Sequence, residues 1–176
     1  MIDLQQKTEW QFLDEETKLL FPWYTKSCLD EIVTWDLKDK NVFEFGLGAS
    51  TIWWSVKCHR VYGVENNKDY YFNVAEYVYP RVYMQVETEE KAYVNCPKQW
   101  GRIFDIIVID GIYREECVPV AFASLKEGGC IIYDNWMQPS VEVQSEETQK
   151  LLLSYPHKIY SQDGHPDWKT LIVHPL

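Results

Sequence analysis

Two glycines and a spaced pair of acids are the residues of this chain best placed to do chemistry. In Val42-Phe43-Glu44-Phe45-Gly46-Leu47-Gly48-Ala49-Ser50-Thr51 an apolar run enters two glycines and then a helix start. Nineteen residues after Gly46 a second apolar run, Val61-Tyr62-Gly63-Val64, ends in Glu65. Strand, glycine turn, helix, strand and terminal acid is the way an open α/β sheet builds a nucleoside site. The glycines let the backbone turn tightly and approach a ligand without a Cβ in the way. Glu65 would lie beside that turn and accept both ribose hydroxyls. The same residues also suit a plain strand–turn–helix with a surface glutamate. A dinucleotide fingerprint needs a third glycine where pyrophosphate meets the helix, and that place is Thr51. The pattern therefore expects a nucleoside ligand without pyrophosphate.

Two more acids and an amide follow later apolar runs. Residues 104–109 lead into Asp110, and residues 130–133 lead into Asp134-Asn135. Ligands of such sheets sit beyond the carboxyl ends of the strands, so these side chains should converge on one rim. Asp110, Asp134 and Asn135 offer hard oxygen donors that suit Mg²⁺ or Mn²⁺. The plainer reading has Asp110 opening a turn and Asp134-Asn135 capping the next helix. Two carboxylates held close repel, so the cluster implies either a cation or a shared proton. Arg114 would bind an anionic substrate group or pair with Glu115 or Glu116 at the surface. His165, on a Gly164-His165-Pro166-Asp167 loop, is a candidate base or simply solvated.

The elements that must position these residues alternate. Strands are expected at 42–45, 61–65, 82–86, 104–109, 130–133, about 157–161 and 170–174. Helices are expected at about 50–58, 69–78, 115–125 and 142–154, with 88–102 irregular or partly helical. Two helical segments should precede them, one including Thr17 to Leu20 and ending near Pro22, the other at 26–36. Apolar strands alternating with helices mean a parallel sheet covered on both faces. The last two strands are too close for a crossover and must be antiparallel. The fold class is therefore α/β, a Rossmann-like doubly wound sheet, mostly parallel, with a C-terminal antiparallel hairpin and N-terminal helices. It forms one domain over 1–176, with a helical segment at 1–40 and a nucleoside-binding core at 41–176.

Composition narrows the partners. The 176 residues carry a formal charge of −10, which disfavours nucleic acid as the main partner. No apolar run is long enough to span a membrane, and the first residues do not read as a signal peptide. The five cysteines are odd in number, spread out and without a Cys-x-x-Cys pair, which reads as reduced thiols in the cytoplasm and argues against zinc. Aromatics reach 15%, a value that serves core packing or stacking surfaces.

The first motif, Glu-x-Gly-x-Gly-x-Ser-Thr, resembles that of class I S-adenosylmethionine-dependent methyltransferases, with Glu44, Gly46, Gly48 and Glu65 at its matching positions. The resemblance implies a donor site made by Glu44, Phe45, Gly46, Gly48, Ser50, Thr51, Glu65, Asn66 and Asp110, with Asp110 also catalytic. The Asp110 and Asp134-Asn135 pair resembles the catechol and caffeoyl-CoA O-methyltransferases, in which a metal held by such residues ionises a substrate hydroxyl. The lysine of that group is replaced by Tyr113, and the histidine of related bacterial enzymes by Ile112. A closer likeness is to a loosely characterised group of small methyltransferase-like proteins with four motifs. They match Glu44 to Thr51, Val64-Glu65 with Tyr70-Tyr71, Asp110 to Cys117, and Gly128 to Asn135. This implies methyl transfer from S-adenosylmethionine to an unidentified acceptor, an oxygen being expected, on a small molecule, peptide or sugar. The Asp/Asn-Pro-Pro-Tyr of base-methylating enzymes is missing. Either a large acceptor docks on an open rim, or Trp23, Tyr24 and the second subunit of a homodimer close the site. The other readings are a domain that binds S-adenosylmethionine without turnover and a nicotinamide oxidoreductase.

Overall fold

A computed structural model describes residues 14, 16, 17 and 19–175. A sheet of seven strands runs through it: β1 Asn41–Phe45, β2 Arg60–Glu65, β3 Val82–Val86, β4 Phe104–Ile109, β5 Leu125–Asp134, β6 His157–Gln162 and β7 His165–Val173. Their order is β3-β2-β1-β4-β5-β7-β6. The first five are parallel, and β7 lies antiparallel to both β5 and β6. Helices α1 Lys26–Ile32, α2 Ala49–Lys57, α3 Lys68–Ala75, α4 Glu90–Asn95, α5 Arg114–Ser124 and α6 Glu146–Leu153 make the connections, with a 3-10 turn at Cys96–Trp100. The expected α/β class, parallel sheet and terminal hairpin are all present.

Strand alternation explains the two faces. Phe43 and Phe45 lie with Ile107, Ile109, Ile131 and Tyr133 in one buried cluster. Val42 lies with Ile106, Val108, Ile132 and Ile172 in the other, together with Trp53, Trp54 and the α1 residues Cys28, Leu29 and Ile32. Successive side chains of a strand point to opposite faces, so these residues divide by parity. Glu44 shares the parity of Val42 and is fully buried on the face covered by α1 and α2. Asp134, with the parity of Ile132, falls on that face too.

The chain departs from its sequence pattern at both ends. Thr17 lies in a turn and Leu20 in an isolated bridge rather than in a helix, and the rest of the expected N-terminal helical segment (1–13) lies outside the described residues. Pro22 disfavours helix at Phe21 before it. Helix α1 is shorter than expected, and Thr25 begins it without a side-chain cap. The Thr25 amide instead donates to Thr170 Oγ1 on β7, at 3.1 Å. Strand β7 begins at His165, five residues early, because Asp163-Gly164 alone makes the hairpin turn, Gly164 having φ +76°. His165 and Asp167 are therefore strand residues, not loop residues.

The sheet reverses its winding between β1 and β4, and there two turns touch backbone to backbone. A Cβ on Gly46 would lie 2.7 Å from Gly111 Cα and 2.9 Å from the Asp110 carbonyl oxygen, and Gly46 has φ +88°. The Asp110 amide donates to the Phe45 carbonyl at 3.0 Å, and the Gly46 amide to the Val64 carbonyl at 2.9 Å. Gly46 is thus first a packing requirement. Placing a β-branched residue there would disturb the fold itself. Gly46→Ala should destabilise the chain by at least about 2 kcal/mol, the strain of a forced positive φ plus displacement of the Gly111 turn. Gly128→Ala provides the control, since Gly128 has φ +75° but open space around its Cβ position. It should lose only about 1 kcal/mol from φ strain. Urea unfolding of the two variants measures the difference, and equal losses would refute the packing role.

Candidate functional site

The Gly46–Gly48 turn is held by one carboxylate. Glu65, at the end of β2, is buried. Its Oε2 accepts from the Leu47 amide at 3.0 Å, and its Oε1 accepts from the Asn66 and Asn67 amides at 2.9 and 2.8 Å. A carboxylate has about four lone-pair sites, so one is left, on Oε2. Glu65 can accept one further hydrogen bond without releasing the loop, where its position alone suggests two. Asn67 Oδ1 caps α3 through the Asp69 and Tyr70 amides. Gly48 follows Leu47, and its amide donates to Thr51 Oγ1 at 2.9 Å, closing the first turn of α2. A Cβ on Gly48 would meet only the Tyr70 hydroxyl, at 3.4 Å. Here the glycine leaves space in front of the turn.

The remaining expected donor residues fall in different places. Ser50 and Thr51 are buried in α2. Phe45 points into the core, 4.9 Å from the Phe43 ring, and contributes only its backbone to the turn. Asn66 is half-buried beside Glu65. Glu44 is sealed, and neither of its oxygens makes a hydrogen bond of good geometry. Burial pushes its carboxyl up to about 8, while the nearby Thr51 and Ser50 hydroxyls and the Trp54 indole only soften that push. Glu44 is therefore largely protonated at neutral pH.

Asp110, Asp134 and Asn135 do converge, and the group between them is Arg114. Its Nη2 pairs with Asp110 Oδ1 at 3.1 Å. Its Nη1 donates to the Asp134 carbonyl at 2.6 Å and to Asn135 Oδ1 at 3.2 Å, and its Nε to the Gly111 carbonyl at 2.8 Å. Arg114 is buried. It neither waits for a substrate anion nor pairs with Glu115 or Glu116 at the surface. The guanidinium takes Asp110 Oδ1 and Asn135 Oδ1, two of the oxygens expected to hold Mg²⁺ or Mn²⁺, and its own positive charge stands beside them, so the arrangement does not fit a divalent ion. Nor do Asp134 and Asn135 cap a helix, since a turn follows them and α6 begins only after Ser145, which caps it. Tyr113 and Asn135 both adopt left-handed backbone, φ +52° at each. That conformation is ordinary for Asn and strained for Tyr. It swings the chain so that Arg114 reaches back to Gly111.

Thr170 completes the cluster by donating to Asp134 Oδ1 at 2.7 Å. Burial raises the Asp134 carboxyl well above the usual range and the neighbouring Asp110 charge raises it further, against Thr170 and Arg114. Asp110 is also raised by burial, but its side chain stays 28% exposed and Arg114 opposes the rise. Among the described residues one cation serves two carboxyls.

Beside these residues opens a cleft of about 480 Å³. Asp110, Asp134, Asn135 and Gln138 line it together with Trp23, His165 and Trp168. Sequence reading named the three acid–amide residues and missed the roles of Arg114, Thr170, Gln138 and Trp168. A signal existed for Arg114, which lies four residues after Asp110 across the start of a helix, where i and i+4 side chains meet. Nothing local in the sequence pointed to Thr170.

No protein-family model and no curated protein matches this chain. Solved structures do. The N-methyltransferase NodS from Bradyrhizobium japonicum WM9 aligns at TM-score 0.63 and 12% identity, over 85% of this chain and 94% of that one. The tRNA (m1A58) methyltransferase TrmI from Aquifex aeolicus aligns at TM-score 0.62 and 15% identity, over 93% and 72%. Precorrin 8W decarboxylase from Methanobacterium thermoautotrophicum aligns at TM-score 0.60 and 16% identity, over 85% and 88%. At these identities the likeness establishes a shared Rossmann-like α/β fold.

Two outcomes follow from the buried charges. Arg114→Leu leaves Asp110 and Asp134 without their cation and should cost about 3–5 kcal/mol in chemical unfolding; a loss under about 1 kcal/mol would make the pair dispensable. Glu44 has a folded pKa above its ordinary 4.5, so its effect on stability is neutral below that value and increasingly destabilising as pH rises to about 8. Glu44→Gln should remove that decline, a difference on the order of 5 kcal/mol by pH 8. Parallel stability–pH curves for the two proteins would contradict it.

Proposed function

We propose that this protein transfers a methyl group from S-adenosylmethionine to an acceptor seated in the cleft beside Asp110. The observation that carries this reading is the junction at the end of β1 and β4. The turn at Gly46–Gly48, the free lone pair of Glu65 and the carboxyl of Asp110 lie around one switch point, where sheets of this kind bind nucleosides. The residues fit the donor. Gly48 leaves room before α2, Oε2 of Glu65 can receive a ribose hydroxyl, and no phosphate-binding glycine is needed for a ligand without phosphate. When bound, the donor supplies a methyl carbon activated by a sulfonium. The chain supplies alignment, desolvation and electrostatics, because displacement at that carbon needs orientation more than a protein nucleophile.

Expectation of an oxygen acceptor rested on a metal-held hydroxyl. With Arg114 on the donor atoms, that support is gone, and the acceptor must be read from the cleft. S-adenosylmethionine binding without turnover is the second reading, favoured by the heavily hydrogen-bonded Glu65, which would hold the loop in either case. No helix among the described residues is long and apolar enough to cross a membrane.

Calorimetry with S-adenosylhomocysteine tests the donor site. Wild type should bind, and Glu65→Gln, which keeps an acceptor oxygen but loses charge, should weaken binding by about 1.5–3 kcal/mol. Unchanged affinity would remove Glu65 from the site, and no binding by wild type would end the proposal. Turnover of labelled S-adenosylmethionine should be indifferent to EDTA. Loss of activity with EDTA and its return with Mg²⁺ would show that Arg114 yields its place to a metal.

A further inference from the structure

We infer that the cleft takes its acceptor as a protonated amine, so that the methyl-accepting atom is nitrogen. This rests on the donor site proposed above and adds the substrate class. The argument begins with charge. Asp110 and Asp134 carry two negative charges when ionised, and Arg114 is the one Lys or Arg among the described residues that pairs with them. Burial and Asp110 hold Asp134 toward its protonated form, and a second cation is what would let both carboxyls ionise together.

Hydrogen-bonding capacity points the same way. Asp134 is only 2% exposed yet lines the cleft, and Thr170 donates to Oδ1 while no side chain among the described residues donates to Oδ2. Gln138 Oε1 is buried without a partner, while its Nε2 donates to Ser140. A buried acceptor left open, as Gln138 Oε1 is, is rare and calls for a donor. An ammonium has N–H donors and no acceptor, which matches these oxygens, while the buried and unpartnered Trp168 Nε1 calls for an acceptor elsewhere on the molecule that carries the amine. A carboxylate or phosphate would face two carboxyls, with Arg114 already engaged by four acceptors.

Two tryptophans supply the other half of the recognition. Trp23 is 54% exposed and lines the cleft with Trp168. Indole faces attract cations and cover apolar carbon equally well. The acceptor is therefore an amine carried on an apolar or aromatic body. In the reaction the bound ammonium gives a proton to a carboxylate of the pair. The freed nitrogen lone pair then forms a bond to the methyl carbon of S-adenosylmethionine. The C–S bonding pair leaves with sulfur, giving S-adenosylhomocysteine, and the N-methylammonium product carries the positive charge. The acid returns its proton to water.

The test uses the full chain saturated with S-adenosylhomocysteine, which removes competition from the donor's own sulfonium charge. Three probes of matched shape are titrated at neutral pH: benzylamine, benzyl alcohol and benzoate. Benzylamine should bind at least about tenfold tighter than the alcohol, with benzoate weakest. Asp134→Asn should erase the preference for the amine and leave the alcohol unchanged. If that buried change prevents folding, exposed Trp23→Ala should still weaken benzylamine by about two- to fivefold. Gln138→Met should weaken the amine more than the alcohol. Equal or tighter binding of the alcohol or benzoate overturns the inference, as does no detectable binding of any of the three. Either result with S-adenosylhomocysteine still bound leaves the donor site standing. Absence of S-adenosylhomocysteine binding instead strikes the donor reading.

Discussion

The closeness of the turns after β1 and β4 governs everything built on this sheet. Gly46 and Gly111 approach so nearly that neither can carry a side chain: a Cβ on Gly111 would fall 2.8 Å from the Gly46 amide nitrogen and 2.0 Å from the Tyr93 hydroxyl. Because the two turns touch, the Gly46–Gly48 loop and the acid that follows β4 cannot move independently. Glu65 extends the lock to β2 by holding Leu47, Asn66 and Asn67. The site's precision thus comes from backbone contacts that leave no room for adjustment, with few side chains needed to maintain it.

A second constraint is electrostatic. Three carboxyls, those of Glu44, Asp110 and Asp134, raise the Tyr24 hydroxyl together with its burial, which shows how near they stand to one another. Arg114 is the counterweight, and its five donors in a fixed fork suit several acceptors at once. It reaches two carbonyls, one amide and one carboxylate from the first turn of α5. A lysine could not span that set. Glu44 answers the same pressure differently, by holding its proton.

The sheet was legible because its signals are local and periodic. Strands β3 and β4 begin and end where their apolar runs do, at Val82–Val86 and Phe104–Ile109. The antiparallel hairpin followed from a connection too short for anything else. The site was legible to the extent that topology alone decides it, which is why Asp110, Asp134 and Asn135 could be grouped without coordinates. What failed was the identity of their cation. Metal ligands and a guanidinium's acceptors are the same oxygens, and a sequence does not say whether Arg114 turns inward. That depends on the left-handed backbone at Tyr113, a conformation the residue type argues against. Thr170 was beyond reach for another reason: it is separated from Thr25 by 145 positions and from Asp134 by 36, so nothing short-range links them.

Those two hydrogen bonds carry a consequence for how the molecule is made. Strand β7 enters the sheet between β5 and β6, after every other described element. Synthesis runs from the N-terminus at about 5–20 residues per second, so the glycine turn and Glu65 leave the ribosome several seconds before Thr170. In that interval β5 has an open edge, the start of α1 lacks its anchor, and Asp134 lacks a donor. A nascent chain can therefore shape the Gly46–Gly48 turn and its Glu65 brace while the Asp134 side of the cleft is still incomplete. Maturation becomes a two-stage event, with the final strand acting as a keystone.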